Sequence, residues 1–149
     1  LKNHPDEEVD YDIFQLENTY SKTGMGMVGE LEKETDELIF LKQVKKILEC
    51  ESIKHTHLLH KKIKKIAVCG GSGSFLLHDA IAAGADIFIT ADMKYHQFFD
   101  TENKIVIADI GHWESEHFTN EIFYEIVTKK FPTFAVHISK VKTNPINYL

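Results

Sequence analysis

Arginine is absent from this 149-residue sequence; all 17 of its basic residues are lysine. That excludes an arginine finger and any bidentate guanidinium clamp on a phosphate or carboxylate. Cysteine is scarce, with only Cys50 and Cys69. Two are too few for a disulfide scaffold, and they point to reduced thiols in a cytoplasmic setting. No apolar run approaches the ~18 residues of a membrane-crossing helix, so a membrane is not an expected partner. Positive charge is in deficit, at 17 basic against 23 acidic residues and a net charge of −6. A nucleic-acid partner held by a general phosphate field is therefore not expected. There is no low-complexity tract and no repeat at a period of about 20–50 residues.

What remains is an ordinary globular composition, 43% hydrophobic and 27% charged, on a chain long enough for one domain with a proper core. Nine histidines are the one excess. The sequence starts at Leu1, and its first stretch carries Asp6, Glu7, Glu8 and Asp10. It reads as a loop or the end of something larger, so the sequence is expected to belong to a longer protein. Residues 1–20 are assigned to a linker or the end of an inserted domain, and residues 21–149 to a C-terminal α/β domain that carries the candidate metal ligands.

Along the chain, Tyr11, Ile13 and Leu16 make a short apolar alternation. Glycines at 24, 26 and 29 suggest a bent or bulged strand, or one closely approached by other backbone. Their G-x-G-x-x-G spacing also matches a dinucleotide fingerprint, but no buried strand precedes it and no helix follows at once. Leu38, Leu41, Val44, Ile47 and Leu48 lie on one stripe, which predicts a helix from Thr35 to Cys50. A short strand is expected near 53–57. Apolar runs at 66–69, 86–90 and 104–109 then alternate with helices expected at 74–83, 93–101 and 113–130, and 133–139 reads as a fourth strand. Strands of near-continuous apolar character alternating with helices mean a mostly parallel or mixed sheet with helices on both faces.

Ligands of such sheets bind beyond the carboxyl ends of the strands. Three consecutive strand ends deliver polar groups there: Gly70-Gly-Ser-Gly-Ser74, then Thr90, Asp92 and His96, then Asp109, His112, Glu114 and Glu116. The opposite loops are chemically silent. The turn at Gly71, Ser72 and Gly73 exposes N–H groups able to hold an anion or cofactor, although a tight strand-to-helix turn explains the same glycines. It lacks the Gly-Lys-Ser/Thr ending of a phosphate loop. His112 and Glu116 are four apart at a helix start, so both can ligate one divalent metal ion. The alternative is that the acids merely favour the helix N-terminus and His112 caps it. His96 is a candidate ligand or general acid/base. Asp92 is a candidate cap for the helix that follows or a partner in the same chemistry. The His55-Thr-His-Leu-Leu-His60 cluster is ringed by lysines and reads as a solvated basic connector. His78 and His137 read as structural.

Taken in order, Val68-Cys-Gly-Gly-Ser-Gly-Ser74, Gly84-Ala-Asp-Ile-Phe-Ile-Thr-Ala-Asp-Met-Lys-Tyr-His96, Asp109-Ile-Gly-His-Trp-Glu-Ser-Glu116 and Thr143-Asn-Pro145 resemble the GTP cyclohydrolase I type 2 homologs, the Nif-three-like dinuclear metal proteins. The resemblance covers roughly residues 11–149. It implies a two-lobed α/β fold, a toroidal homohexamer and two divalent metal ions per full-length subunit, with Zn, Fe, Mn and Ni all compatible with the ligand types. It implies His112 and Glu116 as metal ligands and His96 close to the metals. The other ligands, a His-His pair and an Asp, belong to the family's N-terminal half. This sequence has no His-His pair, so the resemblance implies a C-terminal portion. Three functions follow as expectations. The first is a metal-dependent hydrolase of a nucleotide or other small molecule, with His96 and Asp92 as its catalytic candidates. The second is a non-catalytic, metal-bound regulatory or partner-binding assembly. The third is a nucleotide-binding module without metal, centred on the Gly71 turn.

Overall fold

The computed structural model describes residues 12–15, 17 and 23–149. The expected division near residue 20, and the alternating residues Tyr11 and Leu16, lie outside the described residues. Ile13, which is described, is exposed.

Among the described residues, five strands form one mixed sheet: β1 (Met27–Asp36), β2 (Lys54–His55), β3 (Lys62–Ser72), β4 (Ile87–Ala91) and β5 (Val106–Asp109). Their order across the sheet is β1-β3-β4-β5-β2. β3, β4 and β5 run parallel, while β1 and β2 are antiparallel edges. All five residues of β4 and all four of β5 are buried, as a parallel strand covered on both faces requires. The glycine-spaced segment enters β1 and pairs Met27 with Val68, and the register shifts between Glu30 and Thr35 as the bulged-strand reading expects.

Two apolar layers sandwich the sheet. On one face α1 (Glu37–Ile47) sets Phe40, Leu41 and Val44 against Ile63, Ile87, Ile89, Val106 and Ala108. On the other, α2 (Leu77–Ala82) sets Leu77 and Ala80 against Ala67, Phe88 and Ile107. Each fully buried large side chain contributes about 1.5–3 kcal/mol. Asp36 caps α1, its carboxylate accepting from Leu38 N at 3.0 Å. Glu37 is buried and accepts from both Leu59 N and His60 N at 3.0 Å, tying the helix start to the connector. Glu37→Ala strands both amides. It is expected to cost about 2–4 kcal/mol, read as a lower denaturant midpoint at unchanged slope.

Cys50 and Cys69 are buried free thiols. Burial pushes the Cys50 thiol up to about 11, helped by the nearby Glu114 carboxylate, and burial also raises Cys69. Both stay protonated at neutral pH. Neither is expected to react with iodoacetamide at pH 7.5 in the folded protein, and both are expected to react once it is unfolded.

The structure corrects several expectations, among them the helix from Thr35 to Cys50, which is Glu37–Ile47, with Thr35 and Asp36 in β1. The helix expected at 113–130 is two, α3 (His112–Glu116) and α4 (Thr119–Lys130). Between them the bonding tightens to i→i−3, as Glu121 N donates to Phe118 O at 3.0 Å. Residues 133–139 form no strand. The slot beside β5 is already filled by β2, so a following strand has no free edge there. The helix after β4 is a 3₁₀ helix, Tyr95–Thr101. It is opened by Lys94, whose N–H donates to Gln97 Oε1 at 2.8 Å, and not by Asp92. A 3₁₀ turn, Ser74–Leu76, likewise begins the helix expected at 74–83. Among the described residues no helix is long and apolar enough to cross a membrane.

Candidate metal centre

The carboxyl ends of β3, β4 and β5 deliver three turns to one edge, and α3 lies across them. Gly111, with φ of +93°, bends the chain out of β5 and starts α3 at His112. One helical turn later Glu116 comes back to the same side. His112 Nε2 lies 3.3 Å from Glu116 Oε2. With ligand bonds of about 2.0–2.1 Å, two donors of one tetrahedral ion stand roughly 3.3 Å apart, so the pair fits two ligands of a divalent metal.

Asp92 completes the geometry. Its Oδ2 sits 2.6 Å from His112 Nδ1. An ionised carboxylate can only accept, so Nδ1 donates its proton to Asp92, and Nε2 faces Glu116, donating to it when protonated and offering its lone pair to a metal when neutral. Metal-binding imidazoles are commonly held this way by a carboxylate behind them. Without metal, the hydrogen bond that His112 donates to Asp92 raises its pKa, with smaller help from Glu116. A raised histidine favours the fold at low pH, and that contribution is lost as pH rises through the raised value. In Asp92→Asn the His112 titration, followed by NMR, is expected to move down toward the ordinary histidine range. Metal affinity is expected to fall about 10–100-fold in the same variant. Asp92 therefore orients His112.

The Gly-rich turn and the histidine–glutamate pair prove to be one place. Gly71 has φ of +61°, and a Cβ there would meet Glu116 Oε1 at 2.5 Å and His112 Cε1 at 3.3 Å. Only glycine lets the carboxylate lie this close. Gly71 N donates to Ser115 Oγ at 2.8 Å, and that hydroxyl donates to His112 O at 2.7 Å. Gly73 N donates to Thr90 Oγ1 at 3.0 Å. Two of the three amides singled out as an anion cradle thus bond within the protein, and a carboxylate covers the turn. The sequence places Thr90 at a strand end of the site but does not mark Ser115, because nothing in the spacing of either shows a hydroxyl that bonds a glycine from another strand end.

His96 is exposed on the 3₁₀ helix, its ring edge-on to Tyr95 at 5.2 Å. Among the described residues it makes no hydrogen bond to His112, Glu116 or Asp92. No third His, Cys, Asp or Glu joins the pair among the described residues. A cleft of about 720 Å³ borders the pair, between α3–α4 and the C-terminal tail. Trp113 and His117 stack face to face at 4.1 Å on its helical side. Asn144 pins the tail through Nδ2 to the buried Glu114 Oε1 at 3.3 Å.

The model of the Duf34/NIF3 (NGG1p interacting factor 3) family matches residues 4–145. The chain belongs to this family. Curated relatives named GTP cyclohydrolase 1 type 2 homolog match it across essentially its full length. The Bacillus subtilis protein is 31% identical over 157 residues, and that of Staphylococcus epidermidis 33% over 153. The alignments cover 100% and 99% of this chain but 41% of each relative, so the chain spans about two fifths of their length. Among solved structures, a Bacillus cereus protein related to NIF3 superposes with a TM-score of 0.74 at 29% identity, covering 90% of this chain and 38% of that one. Staphylococcus aureus protein SA1388 gives 0.74 at 26%, covering 85% and 42%. Reduced HcgD from Methanocaldococcus jannaschii shares the fold, with a TM-score of 0.58 at 21% identity, covering 74% and 45%. The mixed α/β sheet is thus one lobe of the longer Duf34/NIF3 fold.

Proposed function

We propose that this chain contributes half of a divalent-metal centre, with His112 and Glu116 as its ligands, to a metal-dependent hydrolase of a small molecule. The observation that carries the reading is the His112 imidazole, held by Asp92 on one nitrogen and turned to Glu116 at 3.3 Å on the other. The relatives' name, GTP cyclohydrolase 1 type 2 homolog, supports hydrolytic chemistry. Two protein ligands do not make a stable site, so the remaining ligands come from outside the described residues, in keeping with the 41% coverage of the relatives. A divalent ion would supply Lewis acidity and lower the pKa of water.

This chain's residues do the rest. Asp92 keeps the proton on Nδ1. Ser115 locks the Gly71 turn to α3. The cleft beside the pair has a volume within the usual range of small-molecule sites, about 300–1,000 Å³. The exposed His96 is free to carry a proton. The assembly is proposed to be a cytoplasmic homo-oligomer, a hexamer when full length.

The test is metal content by plasma mass spectrometry after loading with Zn(II), Mn(II) or Fe(II) and desalting. Near-stoichiometric metal in the full-length protein, reduced to less than half in Glu116→Gln, is expected. No retained metal under any loading would overturn the reading.

A further inference from the structure

β5 ends in a carboxylate that the proposed chemistry does not use. Asp109 is 2% exposed. It makes three contacts to three separate segments. Oδ2 accepts from Met93 N at 3.1 Å and pairs with Lys54 Nζ at 2.7 Å. Oδ1 accepts from Gly111 N at 3.2 Å.

These partners are not arbitrary. Met93 directly follows Asp92, a non-glycine residue at φ of +56°. Gly111 directly precedes His112, at φ of +93°. Asp92 sits in the sparsely populated left-handed region, which persists in a non-glycine residue only where surrounding contacts over-determine it, and Gly111 takes a positive φ that its missing Cβ allows. One carboxylate therefore grips the turn that carries Asp92 and the turn that carries His112, the two side chains that meet at 2.6 Å. Lys54 reaches this buried charge from β2, where it pairs opposite Asp109. An anion is needed here: two amides and an ammonium all donate, and asparagine would offer one oxygen and turn an NH₂ toward a donor.

We infer that Asp109, charge-balanced by Lys54, is the positioning residue of the metal half-site, setting Asp92 against His112 so that Nε2 faces Glu116. The inference rests on the metal reading above for its consequence, and on the metal-free protein for its geometry. Asp109 does not itself bind metal in this reading: it is buried, and its charge is already balanced by Lys54.

The experiment compares the wild-type protein with Asp109→Asn and Lys54→Met. In the metal-free protein, ¹⁵N NMR reads the His112 Nδ1 proton bond to Asp92, and hydrogen exchange reads the Met93 and Gly111 amides against Ile107 as a core reference. Zn(II) affinity is measured by competition with a chelating dye. In Asp109→Asn the His112 signature is expected to be lost. The Met93 and Gly111 amides should exchange at least about 10-fold faster, with Ile107 unchanged, and Zn(II) affinity should fall about 10–100-fold. Lys54→Met is expected to move each readout the same way by a smaller factor. A folded Asp109→Asn with wild-type His112 signature and wild-type amide protection would overturn the inference. If that variant does not fold, Lys54→Met decides, and unchanged readouts there overturn it. If wild-type protein holds no zinc, the metal reading fails while the metal-free NMR still settles the positioning role.

Discussion

His112→Ala is expected to lower divalent-metal affinity by at least about 100-fold, more than the loss of an outer hydrogen-bond partner. The substitution removes one of two ligands and leaves Glu116 and Asp92 as two carboxylates without the imidazole between them. The fold should hardly notice. The His112 side chain is 49% exposed, and substitutions at such positions usually stay within about 0.5 kcal/mol. The two effects must therefore separate: metal content by mass spectrometry collapses while the thermal midpoint of the metal-free protein stays within a few degrees. Wild-type metal content in the variant would place the metal elsewhere. A large drop in metal-free stability would make His112 a structural residue.

Gly111→Ala carries an expected cost in stability as large as that of Glu37→Ala. A Cβ at Gly111 would collide with Glu114 Oε2 and stand 2.9 Å from its carboxyl carbon, at φ of +93°. Glu114 is 3% exposed and cannot swing into water. The strain of the left-handed conformation and the collision add, for an expected loss of about 2–4 kcal/mol by denaturant titration. Gly84→Ala is the matched control. Its φ is +72°, but nothing lies within 4 Å of the new Cβ, so only the conformational cost of about 1–2 kcal/mol remains. If both variants lost equal stability, the Glu114 contact would have no part in the turn. Gly111→Ala should also displace His112, so its metal affinity should fall even where the protein stays folded.

The fold was legible wherever apolar residues kept a period. The runs at 86–90 and 104–109 became β4 and β5, because strands buried on both faces must be apolar throughout, and the run at 66–69 became part of β3, which buries Ala67 and Cys69 and exposes Val68. Of the stripe expected on α1, Leu41 and Val44 pack inward together with Phe40, while Leu38 and Ile47 are exposed. Local pattern misled where a long-range partner decided. Phe134, Val136 and Ile138 alternate as in a strand, yet β2, a two-residue pairing, holds the edge beside β5. The expected helix at 113–130 has no defect in its period, and its break at His117 and Phe118 comes with ring packing between Trp113, His117 and Phe118.

For the candidate site, the sequence alone determined which strand ends carry ionisable groups and that His112 and Glu116 share a helix face, because spacing along one helix is a local property. Only the tertiary structure decided that Asp92, twenty residues away, stands behind His112, that Glu116 lies on Gly71, and that Ser115 and Asp109 tie the three turns together. Those contacts join separate strands through side-chain hydrogen bonds. Their partners are chosen by the order of strands in the sheet, which no local period along the chain encodes.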